Sequence, residues 1–413
     1  MTAKLVVTLL AIFTIAACGS GTARSASSPS ASAPARSPTS STTPSPQRLN
    51  ALLHCEGKPS SARALALVHS YLQEEPVVIL DVSNPLKPVV ACTLSQAQGG
   101  RFLSATKIAF WSGDKLGIAD VSAGTVVQTA QLPLAPASGA FSADGSEFAY
   151  RVRDGADAVS AHLYIAGNDR TLYTQEPMGG HGGQRLELGP LDILKFSPDG
   201  TELLDYMLFR PTSGPTNLLV FRVDGSTIFQ QGGSSGVWVA NGGVWAATGG
   251  VWAATGSVLY FPILDEARQV ITVYSLDASG QRRTVATGVK GFYWPHLAPD
   301  GQGIVYHAPD SSVPSCGGLP HVWRLDLNTG SASQVSKSVS AIPVFVSSTI
   351  MWSSEEKQTD CGLDGQPSDA DGVILAHDFG TGRDAPVDIT FFSALKSSSP
   401  DQMSTYYVLD ARF

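Results

Sequence analysis

At 413 residues the chain has room for two average domains or one large repeat array. Charged residues are only 15% and hydrophobic ones 43%, so a sizeable core is available. Lys and Arg number 27 against 35 Asp and Glu, a net charge of -8 with no basic run, which excludes a nucleic-acid footprint and mainly implies solubility.

The N-terminal segment reads as a processing signal. Lys4 supplies a positive start, and Leu5 to Ala17 is a 13-residue apolar run. A membrane-spanning helix needs about 20 residues, so this is the length of a signal-peptide core. "IAAC", Ile15 to Cys18, follows directly and resembles the bacterial lipobox, although Ile15 stands where that motif prefers Leu. The resemblance implies cleavage before Cys18 and a diacylglycerol on its thiol; the alternative is an ordinary secretory signal with an unrelated Cys. Two or three acyl chains would anchor firmly, at about 0.8 kcal/mol for each buried methylene. Residues 19–48 then carry only Ala and Pro as apolar side chains, amid Ser and Thr. Such a stretch cannot offset its ordering entropy and reads as a tether. The expected organisation is a signal at 1–17, a lipidated Cys and tether at 18–49, and a folded domain at 50–413.

Beyond Cys18, four cysteines remain: Cys55, Cys92, Cys316 and Cys361. An even count outside the cytosol suits disulfides. Pairings Cys55–Cys92 and Cys316–Cys361 are expected because each closes a local segment; free buried thiols are the alternative. No CxxC pair suggests zinc.

The domain itself reads as all-β. Short runs rich in Val, Ile, Tyr, Phe and Trp, such as "PVVILDVS" (76–83) and "VWRLDL" (322–327), are punctuated by Gly, Pro, Asn, Asp and Ser. The best helix candidates, Ser60–Leu67 and Leu264–Gln269, are short. "FSADGSEFAY" (141–150), "FSPDGTELLDY" (196–206) and "LAPDGQGIVY" (297–306) each predict strand, Asp-Gly turn, strand. Further strands follow each, giving a four-stranded unit at a repeat of about 40–55 residues, the pattern of propeller blades. Thr106, Gly145, Gly200, Gly256, Gly301 and Ser348 mark six units, and "RALALVHS" (63–70) with "PVVILDVS" marks one before them. The predicted fold is an all-β propeller of seven four-stranded blades, with six or eight as alternatives. "STYYVLDARF" (404–413) is expected to complete the first blade and close the ring.

Asp144-Gly145, Asp199-Gly200 and Asp300-Gly301, with Phe141 and Phe196 leading two of them, resemble the TolB-type β-propeller repeat; Leu297 departs from it. With lipobox and Ser/Pro tether, the whole looks like an actinobacterial-style lipoprotein. The resemblance implies a propeller at the cell envelope that binds proteins or small ligands; it names no partner.

Residues 236–256 repeat "GVWVANG GVWAATG GVWAATG" at a period of seven. Two Gly in each unit oppose a helix, and an odd period sends successive Trp side chains to opposite faces of a strand. The expectation is a tandem duplication inserted at one hairpin, with at least one of Trp238, Trp245 and Trp252 exposed.

Four stretches invite a chemical reading. "GGSSG" (232–236) fits a nucleophile elbow by pattern but lacks the following helix. "MGGHGG" (178–183) offers one His without visible partners. "DGQPSDADG" (364–372) alternates carboxylates like a calcium loop but lacks its spacing and closing Glu. "GFYWPHLAPDG" (291–301) leads into an inner strand, where Tyr293, Trp294 and His296 combine apolar area with polar tips at a channel mouth. These three are the candidate ligand-binding residues. No catalytic residue, cofactor or metal ligand is assigned. The expected function is a lipid-anchored, extracytoplasmic binding or scaffold protein whose partners are the membrane and an envelope protein or small ligand. The alternative is a propeller lyase or hydrolase acting on polysaccharide or peptide in the channel.

Overall fold

A computed structural model describes residues 52–57, 64–70, 76–154, 158–175, 193–207, 217–231, 251–254, 256–265, 270–310, 319–338, 340–355, 373–390 and 406–412. Cys18, Cys316, Cys361, the tether, the "GGSSG", "MGGHGG" and "DGQPSDADG" stretches, Trp238 and Trp245 lie outside them. The chain divides into Met1–Ser45 and Pro46–Phe413, and all that follows concerns the second unit.

Its strands appear in the order the repeat predicts. Blade 1 uses β1 (Leu53–Cys55), β2 (Leu65–Ser70), β3 (Val77–Asp81) and β4 (Val89–Leu94). Blade 2 is β5 (Gly99–Phe102), β6 (Lys107–Ser112), β7 (Lys115–Asp120) and β8 (Thr125–Gln131). Blade 3 is β9 (Ser138–Phe141), β10 (Glu147–Asp154), β11 (Ala158–Ile165) and β12 (Asn168–Gln175). Blade 4 is β13 (Ile193–Phe196), β14 (Glu202–Met207), β15 (Asn217–Arg222) and β16 (Thr227–Gln231). Blade 5 is β17 (Val251–Trp252), β18 (Leu259–Asp265), β19 (Val270–Leu276) and β20 (Arg282–Val289). Blade 6 is β21 (Tyr293–Leu297), β22 (Gly303–Asp310), β23 (Leu319–Asp326) and β24 (Ala332–Gln334). Blade 7 is β25 (Ser340–Phe345), β26 (Ile350–Glu355), β27 (Val373–Asp378) and β28 (Arg383–Pro386). The last strand, β29 (Tyr406–Arg412), returns to blade 1, whose sheet order is β1-β4-β3-β2-β29.

Seven apolar clusters hold these seven sheets together, one between each successive pair. Leu65, Leu67, Ile108 and Phe110 join blades 1 and 2. The series continues through Trp111 with Phe148, Leu163 with Leu203, Leu204 with Phe261, Val273 with Ile304, and Val305 with Met351. Trp352 of blade 7 packs with Ala66 and Val68 of blade 1, which closes the ring. Trp352 Nε1 also donates to the Pro85 carbonyl at 3.0 Å across that seam. The all-β propeller and its seven blades are therefore read directly from strand pairing and packing.

The fifth strand of blade 1 and the two expected short helices differ from the sequence reading. Blade 1 has a fifth, outer strand, β1. Leu65–Leu67, offered as the end of a short helix, is strand, because both faces of β2 are buried between neighbouring blades. Leu264 is likewise strand, at the end of β18. Of the heptad repeat, Val251–Trp252 forms β17, and residues 236–250, with the expected exposed Trp, lie outside the described residues.

The Asp-Gly turns work through side-chain chemistry as much as backbone shape. Only the Gly takes positive φ, 74° at both Gly145 and Gly200. At Gly145 a Cβ would also come within 2.7 Å of a Leu103 methyl from the preceding blade, so a larger residue would need Leu103 to shift in addition to the strained φ. The Asp is an acceptor hub. Ser142 Oγ donates to Asp144 at 2.7 Å, and Ser146 adds its N–H at 3.0 Å. Asp199 repeats this with Ser197 and Thr201 and also accepts from Ser257 Oγ of the next blade at 2.6 Å. Burial alone would raise Asp199, but hydrogen bonds from Ser257, Ser197 and Thr201 outweigh it and hold the carboxyl at about 2.

Glu202 follows this turn, buried and directly opposite Arg222. Burial, then the charge of Asp199, push its carboxyl up to about 7, with Arg222 opposing and Asp277 adding to the rise. The folded pKa lies above the unfolded one, so ionised Glu202 costs stability. That cost is absent below about pH 4, grows with rising pH, and levels off above about pH 7. Glu202→Gln is therefore expected to stabilise the domain at pH 8 by about 1 kcal/mol after allowance for solvent screening. Melting curves should show that gain vanishing at pH 4; an equal shift at both values would assign the effect to packing.

The disulfide joins Cys55 of β1 to Cys92 of β4, across a sequence separation of 37. The two residues face each other in the antiparallel register, so the bond staples the outer strand to its neighbour. Closing a loop of this length is worth about 4 kcal/mol in the chain-entropy treatment. The double variant Cys55→Ala/Cys92→Ala is expected to melt earlier by that amount. Reductant should lower the native melting temperature more than that of the variant, which of the domain's four cysteines keeps only Cys316 and Cys361.

Candidate functional site

The innermost strands β29, β5, β9, β13, β17, β21 and β25 surround the axis of the ring. Their registers define a common level. Phe102 pairs with Ile108, Phe141 with Phe148, Phe196 with Leu203, Trp252 with Leu259, Leu297 with Ile304 and Phe345 with Met351. In each case the second partner packs against the preceding blade, and in blade 1 the equivalent pair is Ala66 with Ala411. One residue earlier on each inner strand, in blade order, stand Asp410, Arg101, Ala140, Lys195, Val251, His296 and Val344. Four groups of titratable chemistry thus share one level of the channel. Blades 2, 4 and 6 supply Arg, Lys and His; blade 1 supplies the carboxylate.

Hydrogen bonds set two of them. Arg101 Nη1 donates to the Phe141 carbonyl on the next inner strand at 3.0 Å. Asp410 Oδ2 accepts the Phe102 N–H at 2.9 Å, so the returning C-terminal strand is latched to blade 2. Charges act across the axis. Burial lowers the Lys195 ammonium, Arg101 lowers it further, and Asp410 opposes. Burial, aided by Lys195, pushes His296 down to about 3, which makes it a neutral imidazole at physiological pH. Both side chains keep some accessible surface and both are enclosed by protein, as a narrow channel requires.

Just before His296 the inner strand is irregular. The register slips between Tyr293 and His296, and again at the equivalent place of blade 7, between Ala341 and Val344. Pro295 and Pro343 occupy matching positions and cannot donate to a ladder, which accounts for both bulges. Trp294, on this bulge, takes φ 49°, a strained value for a bulky residue. Of the three residues singled out from sequence, His296 lies in the polar level and Trp294 on the adjoining bulge. Tyr293 is placed by its backbone, paired with His307, and its side chain is outside the described set. His307 is pushed by burial to about 3. Arg101, Lys195 and Asp410 were missed.

Two other polar constellations compete with the channel. In blade 3, Ser160 Oγ lies 2.9 Å from His162 Nε2, and His162 Nδ1 lies 3.0 Å from Asp169, which also accepts from Tyr150 at 2.7 Å. This has the residue order of a nucleophile, base and orienting acid. Ser160 is only 1% exposed inside the sheet stack, so no substrate reaches it and the network is structural. Blade 7 repeats the pair at the same seven-residue spacing, His377 to Asp384 at 2.7 Å. Between blades 3 and 4, a shallow groove of about 430 Å³ is lined by Leu163, Ile165 and Val223, with Arg170 and Asp224 at its edge. Arg170 is engaged there, donating to the Asp224 carbonyl at 3.3 Å. Among the described residues no three His, Cys, Asp or Glu side chains converge as metal ligands.

No family model and no curated protein matches the chain. Solved structures similar to it include TolB from Acinetobacter baumannii, 13% identical with a TM-score of 0.38, covering 69% of this chain and 64% of that one. Others are Porphyromonas gingivalis dipeptidyl peptidase 4, at 12%, 0.43, 82% and 53%, and the dihydro-heme d1 dehydrogenase NirN, at 15%, 0.41, 81% and 75%. The chain thus spans under two thirds of that TolB and about half of that peptidase. Identities this low concern fold alone, and the blade count here stands on the strand pairing itself.

Proposed function

We propose that this chain is an exported propeller, held by lipid at Cys18 on the extracytoplasmic face of the membrane, and that it serves as a binding or scaffold protein of the cell envelope. The anchor is supported by the sequence from Lys4 to Cys18. The binding role rests on the polar level of the channel, where Arg101, Lys195, His296 and Asp410 meet beside the bulged Trp294. Arg101 and Asp410 are already fixed by backbone hydrogen bonds, so the level is organised before any guest arrives.

A photo-crosslinking residue introduced at position 294 is expected to capture a discrete partner or ligand in intact cells. The same group at Arg383, on exposed β28, is not. Equal capture at both positions overturns a channel site. Palmitate labelling that persists in Cys18→Ala overturns the anchor.

One observation favours the enzymatic alternative. A neutral His296 and a lowered Lys195 ammonium are what proton abstraction requires. Under that reading the captured molecule is converted on incubation with purified protein; under the binding reading it is recovered unchanged.

A further inference from the structure

We infer that the channel level formed by Arg101, Lys195 and His296 binds a single anionic group, a carboxylate, phosphate or sulfate, carried by the ligand. The inference rests on the binding reading above and names the chemistry of its guest. The three donors stand on inner strands of alternate blades, 2, 4 and 6, at register-equivalent positions. Between them, at the same level, lie Ala140 and Val251, with Val344 beyond His296. These three residue types carry no competing acceptor group. The one carboxylate of the level, Asp410, accepts a backbone amide from Phe102.

The charge balance is local. The chain carries -8 overall, yet this level sets an arginine and a lysine against one carboxylate. Arginine offers a planar fork of donors and lysine a point charge, and a neutral imidazole adds a further N–H; together they suit the oxygens of an anion. The groups also sense one another: Arg101 lowers Lys195 while Asp410 opposes, and Lys195 lowers His296, so these side chains act on a common region where an anion would be attracted by Arg101 and Lys195.

Calorimetric titration of the full-length chain with inorganic phosphate, sulfate and acetate, at ionic strength held constant with chloride, tests this. Saturable binding of at least one probe is expected, and the probe preferred tells phosphate, sulfate and carboxylate guests apart. Lys195→Met should weaken it at least tenfold and His296→Gln at least threefold. Lys195→Arg, which keeps the charge, should retain it, and Arg383→Gln on the outer strand should leave it unchanged. The Lys195→Arg arm also keeps the test decisive where Lys195→Met fails to fold. Absence of saturable binding for all three probes, or equal binding by native protein and His296→Gln, overturns the anion site while leaving a binding role for another guest intact. Conversion of a captured ligand would overturn the non-enzymatic role and leave the anion site standing.

Discussion

Asp205→Asn is expected to destabilise the domain by about 3–5 kcal/mol, the cost of stranding a buried charge. Asp205 of β14 and Arg151 of β10 form an ion pair across the seam of blades 3 and 4, and neither side chain has measurable exposure. Tyr173 of β12 donates its hydroxyl to the second carboxylate oxygen. Removing the negative charge takes the Asp205 counter-ion away from a guanidinium with no measurable exposure. Desolvation of an ion is repaid only by an excellent partner, so the loss of one partner exceeds the net worth of the pair. Hence a second outcome follows. Arg151→Met/Asp205→Leu, which removes both charges and fills the seam, should recover most of the loss. Chemical denaturation of the three proteins measures both effects. A double variant as unstable as the single one would show that the pair itself, not the loss of its buried counter-ion, carries the stability.

Deleting residues 404–413 is expected to abolish cooperative unfolding. β29 is the innermost strand of blade 1 and pairs with β2 from Leu65↔Arg412 to Ser70↔Tyr406. Without it, β2 presents an unpaired edge beside Leu65, Ala66, Leu67 and Val68, all buried in the closed ring. Exposed apolar edges recruit other chains. The latch from Asp410 to Phe102 is lost as well. The truncated protein should elute as oligomers on size exclusion and show a broad thermal transition. A peptide of sequence 404–413 added in trans should restore the sharp transition by completing the sheet. A truncated protein that melts like the full chain would mean that the ring does not depend on its closing strand.

The propeller was legible in the sequence because its signal is local. Asp-Gly encodes a turn that needs no tertiary help and recurs in blades 3, 4 and 6; in blades 3 and 4 Ser or Thr two residues to either side of the Asp completes it, where blade 6 has Ala298 and Gln302. The closing strand was legible too, since one blade lacked an inner strand and one strand lacked a blade. The channel was legible only in part. His296 stood out because it sits among Tyr293 and Trp294. Arg101 and Lys195 each look like an ordinary charge in a short strand, and Asp410 lies at the other end of the chain from its neighbour Phe102. Their relation exists only in register: each stands one residue before the position that opens the turn. Aligning Arg101-Phe102, Lys195-Phe196 and His296-Leu297 on that position is the signal that could have found them. The His162–Asp169 and His377–Asp384 pairs hid similarly, as two equal spacings more than two hundred residues apart. Asp205 carried a visible clue, a charge inside the run "LLDY", but its partner comes from another blade.

Seven is an odd number, and the polar level of the channel inherits that fact. Arg101, Lys195 and His296 take every second blade, and the alternation must then break, leaving Val344 and Asp410 side by side. The hole therefore has a greasy-to-acidic flank and a basic arc opposite. A guest bound there as proposed would meet different chemistry on each side and would be held off centre in one orientation, although the ring is built from near-copies.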